Sequence, residues 1–215
     1  MQAVQIQEFS LSTSVEYRCP VTVGEAKLDT VAKALSLPPC GEFLNPVDIT
    51  LAKQNELFSY TFSVQLFGGS GGIVINAKGI TVSFKQGKSV EHLALMIKLT
   101  LAALEVAKVG EFKTTSINLN LHATFDTPSD YAEHMMRFTA LAPKVVSGGS
   151  VLVMRVAEID GEFRYASEKS LVYPEGLFIA TSFTTAREAN PELYKRLETE
   201  FELAASLDGI LLQKT

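Results

Sequence analysis

Chemistry in a chain of this size rests on a few side chains at fixed spacing. The first to test are the glycine-rich run, the histidines and the cysteines. Gly68-Gly-Ser-Gly-Gly72 could cradle a phosphate if a helix followed, because the free amides and the dipole of a helix start face an anion. A strand pattern, Ile73-Val-Ile-Asn76, follows instead, with no Lys-Ser or Lys-Thr behind the glycines. The run therefore reads as a hairpin tip, where glycine permits positive φ. His92, His122 and His134 show neither HxH nor HxxxH spacing, and a structural zinc site needs four convergent ligands. His122 falls on the polar side of its strand and reads as solvated or hydrogen-bonded. His92 and His134 are expected on exposed helix faces. Cys19 and Cys40 form no CxxC pair and read as reduced, buried structural thiols. No GxSxG, HExxH or paired-carboxylate motif is present. The sequence thus names no catalytic residue, no cofactor and no metal.

What the sequence does offer is a surface. Ser12, Ser14, Ser59, Thr61, Ser63, Thr81, Ser83, Asn118, Asn120, Ser182 and Thr184 all fall on the polar side of strand patterns. Exposed strand faces ordinarily carry more Lys and Glu. Short uncharged side chains let a sheet lie close against another surface, although they also suit plain solvent exposure. A hairpin across Asp160-Gly161 would set Arg155 opposite Ala166 and Arg164 opposite Ala157, with both arginines on one side. The expectation is a non-enzymatic binding or assembly protein that turns this face toward a protein partner or a second copy of itself. Arg155 and Arg164 would make the specific contacts, and Ser63, Gln65, Asn118, Asn120 and His122 the adaptable ones. The alternative is a carrier of a small apolar ligand, with a cavity lined by Phe58, Tyr60, Phe62 and Phe84 facing Leu93 and Ile97. The opposing reading is that these large side chains simply fill a core.

The elements that hold this face are legible from periodicity. Val90, Leu93, Ile97, Leu101 and Leu104 share one helix face within Val90–Lys108, with Ser89 as a cap and Gly110 as a stop. Phe58–Leu66, Ile73–Ala77 and Ile80–Lys85 alternate as an antiparallel meander before that helix. A strand over 9–19 and a helix opened by a Thr22/Glu25 capping box precede the meander, and 38–46 reads as loop. After Gly110 the order returns: a strand over 117–124, a helix opened by Thr127/Asp130, a second meander, and a helix from Pro191 capped by Asn190. The fold class expected is α+β, two similar units at 1–112 and 113–215, each a curved antiparallel sheet on a long helix. The last helix carries Glu192, Glu198, Glu200 and Glu202, a solvated face or a recruiting acidic patch. It is therefore expected to be the more exposed of the two long helices.

This order, strand, helix, meander and long helix given twice, resembles the duplicated fold of the TATA-box-binding protein. Each half is also similar to helix-grip domains such as the START-like lipid binders. The resemblance covers most of the chain but is one of architecture, and no family motif carries a functional residue across. The DNA-binding family implies a basic concave sheet with wedging phenylalanines. Here that face carries Ser59, Thr61, Ser63, Gln65, Asn118, Asn120 and His122 instead.

Composition bounds the rest. In 215 residues, 47% hydrophobic and 20% charged residues are those of a folded chain. The net charge of −5 argues against a nucleic-acid binder. The apolar stretch at Val90–Val109 approaches spanning length, but Glu91, Lys98, Glu105 and Lys108 interrupt it, so no membrane span is expected. The start, MQAVQIQEFSLS, lacks the charged head and apolar run of a secretory signal, so a cytoplasmic location is expected.

Overall fold

A computed structural model describes residues 1–38, 50–56, 59–139 and 148–213. It is α+β, with one large, mainly antiparallel sheet and four helices among those residues. The chain runs β1 (Gln2–Tyr17), α1 (Glu25–Leu35), β2 (Thr50–Glu56), β3 (Ser59–Leu66), β4 (Gly71–Asn76), β5 (Gly79–Gly87) and α2 (Val90–Ala107). It continues through β6 (Phe112–Phe125), α3 (Pro128–Thr139), β7 (Ser150–Val156), β8 (Gly161–Lys169), β9 (Gly176–Thr185), α4 (Pro191–Leu207) and β10 (Ile210–Gln213). The strand order is β2-β3-β4-β5-β1-β6-β9-β8-β7, and β10 joins the first residues of β1 in parallel. The longest strands, β1 and β6, lie side by side at the centre.

Alternation sorts each strand into two faces. Cross-strand partners share a face, so Val64–Ile73–Val82–Thr13–Ile117–Phe183–Phe163 forms one buried row across the sheet. The helices pack on this side. Val31 and Leu35 of α1 and Leu99 and Ala103 of α2 join the cluster around Phe62 and Val82. Leu197 and Phe201 of α4 join the cluster around Phe163 and Leu121. Tyr131 and His134 of α3 lie on Phe125.

Local signals explain several boundaries. Ser89 Oγ accepts from the His92 amide, and Asn190 Oδ1 accepts from the Leu193 amide at 2.9 Å, capping α2 and α4. Thr127 Oγ1 accepts from the Asp130 amide and donates to its carboxylate at 2.7 Å. Gly68 and Gly69 take φ of 62° and 100° at the tip between β3 and β4, which explains glycine there.

Other expectations are corrected. α1 starts after Gly24 with no side-chain cap, so Thr22 does not cap it. α2 ends at Ala107, short of Gly110. β1 begins at Gln2, because Val4 and Ile6 also pair with β6. β2 (TLAKQNE) and β10 escape the periodicity argument because one is a polar edge and the other has four residues. The hairpin is not closed by Asp160-Gly161 alone. Ala157–Ile159 forms a 3-10 turn, Asp160 sits at φ 45°, and Val156 pairs with Gly161. Arg155 therefore faces Glu162, and Arg164 faces Val153. Cys19 is exposed, not buried. His134 is fully buried, because α3 presses it between Phe125 and Phe138. Phe58, Cys40 and most of the expected 38–46 loop lie outside the described residues.

Candidate functional site

No helix packs on the second face of the sheet among the described residues, and that face is built from short side chains in continuous rows. Gln65–Gly72–Ser83–Ser12–Asn118–Ser182–Arg164 run across seven strands. Beside them run Ser63–Val74–Thr81–Ser14–Ser116–Thr184–Glu162–Arg155. Ser10–Asn120–Ala180–Ala166 and Glu8–His122–Phe178–Glu168 follow. Ser63, Gln65, Asn118, Asn120, His122, Arg155 and Arg164 thus all lie on one face. Six strand spacings of about 4.8 Å separate Gln65 from Arg164, roughly 29 Å in all. Four rows span about 20 Å along the strands. That footprint, on the order of 600 Å², approaches the roughly 800 Å² per partner of a stable interface.

The chemistry of the face changes from centre to edge. At the centre, hydroxyls satisfy one another: Ser14 Oγ lies 3.0 Å from Thr81 Oγ1, and Ser116 Oγ lies 3.3 Å from Thr184 Oγ1. Lys113 and Thr114 donate to Glu16 at 3.0 and 3.1 Å and hold its carboxyl below the usual range. Toward the edge, Arg164 is held by Glu162 at 2.5 Å, an exposed pair, whereas Arg155 has no ion-pair partner among the described residues. Val151 and Val153 stand exposed on β7. His122 is half-buried: Nδ1 lies 3.0 Å from Ser170 Oγ, and its ring contacts Tyr173 and Phe178 at 5.5 and 5.0 Å. That clamp makes it a poor candidate for a free base.

A second concavity lies on the helix side. A cleft of about 740 Å³ opens between α2 and α4. Ile6, Leu11, Leu119 and Leu121 of β1 and β6 form its floor. Leu93 and Ile97 line one wall, and Leu197 and Phe201 the other. Phe62 and Phe84 do not line it but are buried in the packed core beneath α2. Tyr60 pairs with Asn55 in the β2–β3 ladder. The contributions of α4, β10 and Met1 to the cleft carry no signal in the sequence, because they depend on where the last strand docks.

A third cluster is structural. Asp208, 2% exposed at the end of α4, accepts from Tyr165 Oη at 2.9 Å and Ser167 Oγ at 2.6 Å, and from Ser150 Oγ. Burial and this carboxylate push the Tyr165 phenol up. No group of three or more His, Cys, Asp or Glu residues that could hold a metal ion occurs among the described residues. No described helix is long and apolar enough to cross a membrane. The chain matches no known protein-family model, and no curated protein is significantly similar to it in sequence.

Proposed function

We propose that this chain is a non-catalytic binding or assembly protein that turns the uncovered sheet face toward a protein partner or a second copy of itself. One observation carries the reading: the described helices crowd one side of a sheet whose other side offers continuous rows that are short and uncharged at the centre and charged toward the edges. Small polar groups cost little to desolvate where they already bond one another, as Ser14 does with Thr81 and Ser116 with Thr184. Arg155, with no ion pair among the described residues, is the contact most able to select an acidic partner.

The reading includes two similar units, 1–112 and 113–215, meeting at the β1–β6 ladder. Support comes from the order of elements. A helix follows β1 and β6, a hairpin with a 3-10 turn joins β3 to β4 and β7 to β8, and a capped long helix follows β5 and β9. The test is the triple variant Arg155→Glu/Arg164→Glu/Asn118→Arg, compared with wild type by light scattering and by recovery of cross-linked partners. Association should fall while circular dichroism stays unchanged. An unchanged oligomeric state together with an unchanged set of partners overturns the reading.

A second reading, carriage of a small apolar ligand, is favoured by the cleft between α2 and α4. Its volume falls in the roughly 300–1,000 Å³ range of small-molecule sites.

A further inference from the structure

We infer that the cleft between α2 and α4 takes a long single-chain fatty carboxylate, its chain along the apolar floor and its head at a lysine of the rim. The inference rests on the carrier reading and adds the class of ligand to it.

The lining dictates the body of the ligand. A small-molecule site normally places a few polar groups deep inside to fix orientation. This floor has none: Ile6, Leu11, Leu119 and Leu121 come from the apolar face of the central strands. The Tyr194 hydroxyl, the nearest candidate on the α4 wall, is already bonded to Thr13 Oγ1 at 2.7 Å. A body with hydrogen-bonding groups would lose their partners in such a place, whereas a hydrocarbon loses nothing. Shape narrows the class. The α4 wall contributes residues from Pro191 to Ser206, fifteen helical steps or about 22 Å. That is an elongated trough, suited to an extended chain.

The rim dictates the head. Its charged residues are Lys88, Lys195, Glu198 and Glu202. Glu198 and Glu202 each already interact within the chain. Ser89 Oγ is committed to the His92 amide. The ammonium groups of Lys88, just before α2, and Lys195, near the start of α4, have no partner among the described residues, and because the end of α2 meets the start of α4 they mark opposite ends of the trough, so either end offers a free cation to a carboxylate. An ammonium is a compact point charge that meets a carboxylate without demanding bidentate geometry.

The test uses the full chain, stripped of lipid, titrated with hexadecanoate, dodecanoate and hexadecanol below their aggregation concentrations, with binding read by calorimetry. Hexadecanoate should bind, and each pair of carbons removed should weaken binding about tenfold. Hexadecanol should bind about tenfold more weakly than hexadecanoate. The double variant Lys88→Gln/Lys195→Gln should erase that difference. Ala94→Trp, which fills the trough from the exposed side of α2, should abolish binding of both. Equal binding of acid and alcohol, unmoved by the lysine variant, overturns the head assignment and leaves the carrier reading standing. No binding of either ligand by the folded protein, or binding undiminished by Ala94→Trp, overturns both.

Discussion

The two long helices invert the order their compositions imply. α2 is the most apolar stretch of the chain, and α4 is dense in glutamate. Yet α4 is the better buried: Leu193, Tyr194, Leu197, Glu200, Phe201, Ala204 and Ala205 are covered, against Leu99, Thr100, Ala103, Leu104 and Ala107 in α2. The expectation that α4 would be the more exposed is therefore wrong. Burial follows periodicity, not mean apolarity. The covered residues of α4 form one stripe with its other glutamates pointing outward, and Glu200 is covered only with Arg196 bound to it at 2.8 Å. α2 is apolar around most of its circumference, and one sheet cannot cover all of it. Its first half stands over the cleft, with Val90 46% exposed. The apolarity that this half does not spend on the core lines the cleft.

That contrast can be broken by mutation. The largest effect expected is at Leu193: Leu193→Ala should cost about 3 kcal/mol in urea denaturation, the usual loss for a buried leucine. Leu93→Ala, partly buried on the open half of α2, should cost less, about 1.5 kcal/mol, since part of its area stays in water at the cleft. Equal losses at the two sites would show that the cleft is closed in solution. Asp208→Ala should cost about 2 kcal/mol, because Tyr165 and Ser167 would keep buried hydroxyls without their acceptor. If the loss is negligible, the end of α4 is not anchored by this carboxylate.

The smallest effect is one of pH. Burial lowers the His134 pKa from 6.5, Asp208 opposes that shift and Arg137 adds to it. Neither ring nitrogen has a hydrogen-bond partner among the described residues. The unfolded chain then binds the proton more readily than the native one, so the contribution is complete above about pH 6.5 and is lost as pH falls toward the lowered native value. Thermal melts should fall between pH 7 and pH 5, and His134→Phe should shrink the difference. A pH dependence unchanged in that variant would remove His134 as its source.

Much of the local plan was legible from residue spacing. The caps at Ser89, Thr127 and Asn190 each need only neighbouring residues, so sequence suffices to find them. Strand faces follow from alternation, which is why Ser63, Gln65, Asn118, Asn120, His122, Arg155 and Arg164 fall on one face even though the β7–β8 register was misread. The two-residue Asp160-Gly161 turn and the longer 3-10 loop that actually closes the hairpin differ by an even number of residues. Both keep the parity of the two arginines, so the face survived while the partners changed. His134 failed for another reason. A histidine on an amphipathic helix looks solvated until the rings that cover it, Phe125 and Phe138, are placed.

By itself, then, the sequence determined the α+β class, the polarity of each strand face and the ends of its best helices, because period and capping act within a few residues. Only the tertiary structure decided that β1 pairs with β6 and joins the strands into one sheet, and that β10 returns to β1. These pairings link residues 95 or more positions apart, through backbone groups that carry no side-chain signature. The gap between α2 and α4 follows from the same long-range choice. It is space left between two elements, and no residue spells it.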